Sequence, residues 1–486
     1  MSINAKDRLP SGIPGLDEII QGGFIQNRSY LIRGLPGSGK TTLGLHFLCS
    51  ASAKNNEKSL YITLSENENI IRDNAGRLGF DLSRVHFLDL SPTSAHFSGS
   101  KDYTIFFPAE VEQEETTQKI VTAVKKLKPK RVFIDAITQL RYLTVDTYHY
   151  RRQVLSFLRF LIESGATVLL TSEGSPEAPD EDLQFLSDGV IQLDFSSAGR
   201  SISIKKFRGS DFRSGPHAMA LTNRGMVVYP KLIPEDFGRE FIPETMSSGV
   251  PEIDRLLYGG LERGTVTIIS GPSGVGKTSL GMQFVKEAAS HGEYASVYIF
   301  EESVDTLMHR SESIGLSVND LLKRGTLNIT HIEPLKYLPD QLANLVRREV
   351  EQKGARIVML DSIAGYKLSL LGGDLAQHLH ALSKYLSNMG VTVLLINEVE
   401  TIAGGIFKAT EAGISYLADN IIFMRYLEYR GQLRRAIGVL KKRLTDFERT
   451  LREIAITEKG IQVGAPLTNL RGILQGMPDW PAGEAS

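Results

Sequence analysis

Gly34-Leu-Pro-Gly-Ser-Gly-Lys-Thr41 fits G-x-x-x-x-G-K-[ST], the pattern of a loop that cradles phosphate groups. The residues before it, Ser29–Arg33, are short, apolar and β-prone, and those after it, Thr42–Cys49, have helical spacing. The loop therefore stands between a strand and a helix, the setting the motif needs. Glycine lets backbone N–H groups turn inward around phosphate oxygens, and the following helix points its positive end at the same anion. Gly37, Ser38, Gly39, Lys40, Thr41 and Thr42 are accordingly the nucleotide-binding candidates. Lys40 is expected to reach the β- and γ-phosphates of ATP, and the Thr41 hydroxyl to ligate Mg²⁺.

The motif recurs as Gly271-Pro-Ser-Gly-Val-Gly-Lys-Thr278, which adds Gly274, Val275, Gly276, Lys277, Thr278 and Ser279 as a second set of candidates. Lys40 and Lys277 stand 237 positions apart. The same offset relates Gly12 to Gly249, Asp17 to Asp254, and Gly22-Gly23 to Gly259-Gly260. A repeat this long is a duplicated domain rather than a solenoid unit. The expected domains are 1–236 and 237–465, with a tail at 466–486.

The 486 residues, 42% apolar and 23% charged, suit a soluble globular protein in which each half buries its own core. A net charge of −1 argues against nucleic acid as a partner. One cysteine, Cys49, excludes a disulfide or a cysteine zinc site. The absence of a signal-like N-terminus and of an 18-residue apolar run places the chain in the cytoplasm, away from membranes.

Apolar strand patterns alternate with helical ones in both halves, which predicts an α/β fold with a mostly parallel, helix-covered sheet in each. Ligands bind such sheets at the carboxyl ends of the strands. Arg131-Val-Phe-Ile-Asp135 and Arg356-Ile-Val-Met-Leu-Asp361 read as strands ending in a Walker B acid, on a strand beside the phosphate loop. Asp135 and Asp361 join Thr41 and Thr278 as the expected Mg²⁺ ligands. Thr167–Ser172 and Thr392–Asn397 are strands whose polar ends can sense a γ-phosphate. From about residue 461 the chain reads as a mobile Gly/Pro-containing tail.

Hydrolysis needs a group that orients and deprotonates the nucleophile. Glu301 and Glu302 are placed at the end of the strand next to the P-loop strand, facing opposite ways. The first half has Ser65-Glu66 there, so Glu66 is its only candidate base. Lys206 with Arg208, and Lys441 with Arg443, end a late strand in each half. They are candidate trans-acting cations that reach the γ-phosphate of a neighbouring subunit, which requires head-to-tail contacts closing into a ring.

The ordered set of these motifs, present twice over residues 8–475, resembles the KaiC family of RecA/DnaB-type ATPases. The resemblance implies two tandem RecA-like P-loop domains, a double-ring homohexamer, ATP bound between subunits, and a KaiB-like or other signalling protein as partner. It also implies ATP hydrolysis and, in clock-type members, autophosphorylation of a Ser-Thr pair in the second domain. Ser415 falls on that serine, with Glu301 or Glu302 of the neighbour as base, but Tyr416 takes the place of the threonine. A serine autokinase is the leading expectation. A nucleotide-gated signalling scaffold without kinase activity and a RecA/RadA-like DNA-dependent ATPase are the competing readings.

Overall fold

The computed structural model describes residues 7–51, 57–91, 109–143, 147–174, 180–196, 199–239, 244–370, 373–399, 413–429 and 431–468. The chain divides into two units between Lys231 and Leu232. The residues just after that division are anchored in the second unit. Leu232 is buried, and the Asn388 amide donates to the Pro234 carbonyl at 2.9 Å.

In the first unit the strands of the nine-stranded sheet are β1 (Ser29–Arg33), β2 (Ser59–Thr63), β3 (Val85–Asp89), β4 (Arg131–Asp135), β5 (Thr167–Ser172), β6 (Gly189–Ser196), β7 (Gly199–Phe207), β8 (Pro216–Thr222) and β9 (Gly225–Tyr229). Their order across the sheet is β9-β8-β7-β6-β1-β5-β4-β2-β3. The neighbours from β6 through β3 pair in parallel, and β6 to β9 form an antiparallel meander. In the second unit the strands of the nine-stranded sheet are β10 (Val266–Gly271), β11 (Ala295–Ile299), β12 (Leu327–His331), β13 (Ile357–Asp361), β14 (Thr392–Glu398), β15 (Asn420–Tyr429), β16 (Gln432–Lys442), β17 (Arg452–Thr457) and β18 (Gly460–Pro466). They repeat the arrangement as β12-β11-β13-β14-β10-β15-β16-β17-β18. The fully buried runs Tyr30–Ile32, Val132–Ile134, Ile268–Ile269 and Val358–Leu360 explain the parallel part, because strands covered on both faces are apolar throughout.

Two placements read from the sequence need correcting. Neither the Walker B strand nor the strand leading to Glu301 adjoins the P-loop strand. β14 lies between β10 and β13, and β11 lies beyond β13; β5 separates β1 from β4 in the same way. The reading took strands near in sequence as neighbours, whereas the crossovers leave a slot that a later strand fills. The acids nevertheless stay on the carboxyl edge. The mobile tail expected from residue 461 is also corrected. Gly460–Pro466 is strand β18, paired antiparallel with β17, because Ile461 and Val463 pack with Ile454 on the core. The rest of the expected tail, 469–486, lies outside the described residues.

The opening repeat proves to be one local device. The Asp17 carboxylate accepts from the Ser11 N–H at 2.9 Å, and Asp254 accepts from the Ser248 N–H at 2.7 Å. After each phosphate loop comes helix α1 (Lys40–Cys49) or α2 (Lys277–Ser290), packed against its sheet through a glycine. A Cβ on Gly44 would lie 2.2–2.3 Å from three ring atoms of buried Phe133. On Gly281 it would meet the flexible Met359 side chain at 2.9–3.0 Å. Gly44→Ala is therefore expected to destabilise the first unit by about 1–3 kcal/mol, because overpacking outweighs the helix-propensity gain. Gly281→Ala should be close to neutral, since methionine adapts its shape. Thermal unfolding of the two full-length variants checks this, and equal shifts would refute the asymmetry.

Candidate functional site

Each phosphate loop turns into its helix at a left-handed glycine, Gly39 (φ 105°) and Gly276 (φ 110°), where a side chain would be strained. A Cβ on Gly276 would also lie 2.2 Å from Ile456 Cδ1. Lys40 Nζ donates to the carbonyls of Gly34 at 2.6 Å and Leu35 at 3.2 Å, and Lys277 Nζ donates to that of Pro272 at 2.8 Å. Burial lowers the pKa of both lysines, opposed by facing acids: Asp135 and Glu173 in the first unit, Glu398, Asp361 and Glu301 in the second. The Lys277 ammonium is 4.0 Å from the Glu398 carboxylate.

The Walker B acids sit against the loops. Thr41 Oγ1 donates to Asp135 Oδ2 at 2.7 Å, and Thr278 hydrogen-bonds Asp361 in the same way. Burial pushes the Asp361 carboxyl up to about 6, against the pull of that hydrogen bond, with Glu302 and Glu301 raising it further. In both units the peptide after the acid is cis. Among the described residues no group of three or more His, Cys, Asp or Glu is arranged to hold a metal by itself. One hydroxyl and one carboxylate beside a phosphate loop is the donor set of Mg²⁺ held jointly with substrate phosphates. In the first loop the buried Ser38 hydroxyl has no hydrogen-bond partner among the described residues, as expected of a group that a phosphate oxygen would engage.

In the second unit a cavity of about 500 Å³ is lined by Gly274, Gly276, Lys277, Thr278, Ser279, Asp361, Glu301 and Glu302, with Ile314 and Ile456 as apolar walls. The two glutamates have different partners. Arg310, on helix α3 (Val304–Ser313), donates to Glu302 at 2.7 Å. Glu301 Oε1 accepts from Ser362 Oγ at 2.5 Å, the residue after the Walker B acid. Glu302 is thus held in an ion pair with Arg310, whereas Glu301 is held by a hydroxyl. Glu66, in the first unit, is exposed beyond β2, and its carbonyl accepts from Thr63 Oγ1 at 2.5 Å.

The late cations are divided. Lys206 Nζ donates to the carbonyls of Gln184 (2.8 Å), Phe185 (3.2 Å) and Ser187 (2.7 Å), at the end of the helix Glu181–Leu186. Lys441 Nζ donates to Ala418 (2.6 Å) and Ser415 (3.4 Å). Both lysines thus tie down a turn of their own unit, and burial lowers the pKa of each. Arg443 pairs with Asp419 at 2.9 Å, and Arg208 is exposed. Ser415 and Tyr416 are exposed on the turn that Lys441 holds.

Sequence reasoning missed Glu173 and Glu398, Arg310, Ser362 and Tyr61. The signal for the first pair was present, because an acid directly follows each of the runs Thr167–Ser172 and Thr392–Asn397. No described helix is long and apolar enough to cross a membrane.

With this geometry in view, the family model for the KaiC ATPase matches residues 9–233 and again 246–468. The circadian clock oscillator protein KaiC of Prochlorococcus marinus is 27% identical over 99% of this chain and 96% of its own. The protein of that name from Synechococcus elongatus is 27% identical over 96% of this chain and 91% of its own. The circadian clock protein KaiC3 of Synechocystis is 26% identical over 98% and 95%.

Proposed function

Since the chain belongs to the KaiC family of ATPases, we propose that it binds and hydrolyses Mg²⁺-ATP in both units and phosphorylates itself in the second. The observation that carries this reading is the cavity in which Lys277, Thr278, Asp361 and Glu301 meet. Loop N–H groups and Lys277 would hold the phosphates, while Thr278 and Asp361 would hold Mg²⁺, which supplies charge neutralisation at the β- and γ-oxygens. Glu301 is suited to receive the proton of an attacking water, being a carboxylate held by the Ser362 hydroxyl rather than by an ion pair such as Arg310 makes with Glu302. Ile314 and Ile456 offer apolar surface to the base. Thr41, Asp135, Lys40 and Glu66 would do the corresponding work in the first unit.

The trans role is assigned to Arg208 and Arg443, because Lys206 and Lys441 are spent on carbonyls of their own unit. Arg443 would leave Asp419 to reach a neighbour's phosphate, and a ring, a homohexamer in this family reading, supplies that neighbour. In the kinase step the Ser415 Oγ–phosphorus bond forms, the bond from the γ-phosphorus to the bridging oxygen breaks, ADP leaves, and the hydroxyl proton passes to Glu301 of the neighbouring copy. The exposure of Ser415 on the turn held by Lys441 supports it as acceptor. The relatives are named as circadian clock proteins; in this reading a KaiB-like or other signalling protein in the cytoplasm would be the reader of this state.

Incubation of the full chain with γ-labelled ATP and Mg²⁺, followed by sizing and residue mapping, tests the proposal. The expected result is an ATP-dependent hexamer labelled at Ser415, with the label lost in Ser415→Ala. A hexamer that releases phosphate without ever being labelled would replace the autokinase with a nucleotide-gated scaffold.

A further inference from the structure

The two Walker B acids stand in the same register of their sheets but face different side chains. Thr63 lies opposite Asp135 in the first unit and Ile299 opposite Asp361 in the second. Counting back two residues, Tyr61 opposite Phe133 corresponds to Val297 opposite Met359. On the other flank Ile134 pairs with Leu170, so Thr171 stands next to Asp135, where Ile396 pairs with Asp361. The first acid therefore has a hydroxyl on each flank, and the second has an aliphatic side chain on each.

Both hydroxyls bond the acid. The Tyr61 hydroxyl donates to Asp135 Oδ2 at 3.0 Å, and Thr171 Oγ1 donates to Oδ1 at 2.5 Å. Tyr61 has no room to swing. It is 1% exposed, stacked on Phe87 at 5.0 Å and 13°, and edge-on to Phe133 at 5.0 Å. A carboxylate gripped at both oxygens by fixed donors keeps one rotamer before a cation arrives.

We propose that Tyr61, with Thr171, is a positioning residue that orients Asp135 for the divalent cation of the first unit. This rests on the nucleotide-binding reading above. Partners that orient a metal ligand typically change metal affinity by about 10–100-fold when removed.

The test uses the full chain carrying Lys277→Ala, which silences the second loop, with Mn²⁺ as a spin-resonance probe titrated in saturating ADP. Tyr61→Phe, which keeps the ring contacts, is expected to weaken Mn²⁺ binding about 10-fold or more. Binding of fluorescent ADP in EDTA should stay within about twofold, since no metal is then present to orient. Unchanged Mn²⁺ affinity, or equal losses with and without metal, would overturn the proposal. A gain-of-function arm excludes simple damage: in a Lys40→Ala chain, Ile396→Thr adds a hydroxyl beside Asp361 and should tighten Mn²⁺ binding at the second site. Weaker or unchanged binding there would count against the proposal. If the parent chain binds neither ADP nor Mn²⁺-ADP, the nucleotide reading itself fails; if it binds both without dependence on Tyr61, only the positioning role fails.

Discussion

Glu301→Gln is expected to lower second-unit ATP turnover by about 10²–10⁴-fold, the usual contribution of a positioned general base. Glu302→Gln should cost less than about tenfold, because its carboxylate is engaged by Arg310 at 2.7 Å rather than turned to the nucleophile. The contrast follows from the partners: Ser362 donates to Glu301, while Arg310 holds Glu302 at 2.7 Å. Steady-state hydrolysis in a Lys40→Ala chain isolates the second unit. Equal losses, or a larger loss at Glu302, would reverse the assignment. Because amide for carboxylate preserves shape, unchanged nucleotide affinity should accompany the slow turnover, separating chemistry from binding.

Asp361→Asn should make the metal-free protein more stable and the metal-loaded protein less so. Burial raises this carboxyl from 3.8 to about 6. The folded state therefore binds a proton more tightly than the unfolded state, and deprotonation costs stability. The contribution is fully present below pH 3.8 and is lost as pH rises through about 6. At pH 7.5 the penalty amounts to up to about 3 kcal/mol at 1.36 kcal/mol per unit. Asparagine, which keeps an oxygen for Thr278, removes most of it. In EDTA at pH 7.5 the variant should gain about 1–3 kcal/mol, roughly 2–4 °C of Tm per kcal/mol for a unit of this size. The gain should vanish near pH 4. With Mg²⁺ and ADP present the ranking should invert, because only the wild type retains the carboxylate for the metal. A variant less stable than wild type in EDTA would show that Asp361 does not carry this penalty.

Much of the fold was legible because both halves obey the same punctuation. β4 and β5 run from Arg131 to Asp135 and from Thr167 to Ser172, the spans that apolar patterning predicts. Spatial order was not legible. The strand filling the slot between loop and acid comes later in the chain, and a pattern of apolar residues carries no information on crossovers. β18 was missed because Gly and Pro in 460–466 mask an alternation that puts Ile461 on the core. At the site, the loops and acids could be read from fixed spacing within one segment. Arg310 and Tyr61 could not, because their partners, Glu302 and Asp135, are met across a turn or between strands. The late lysines show a different limit. Their charge is visible in the sequence, but the carbonyls that use it belong to backbone, which no residue pattern marks.

The shared strand order has a further use. Since both sheets are laid out alike, positions in matching strands around the acid have a counterpart in the other half, on a strand of the same order. The chain thus carries its own library of alternatives: Tyr for Val at one flank of the acid, Thr for Ile at the other. A designer who wants two compartments of one molecule to run at different speeds can exchange side chains between them and leave the phosphate loops untouched. Gene duplication followed by drift at such flanking positions would reach the same end, separating the rates of two engines that share a single blueprint.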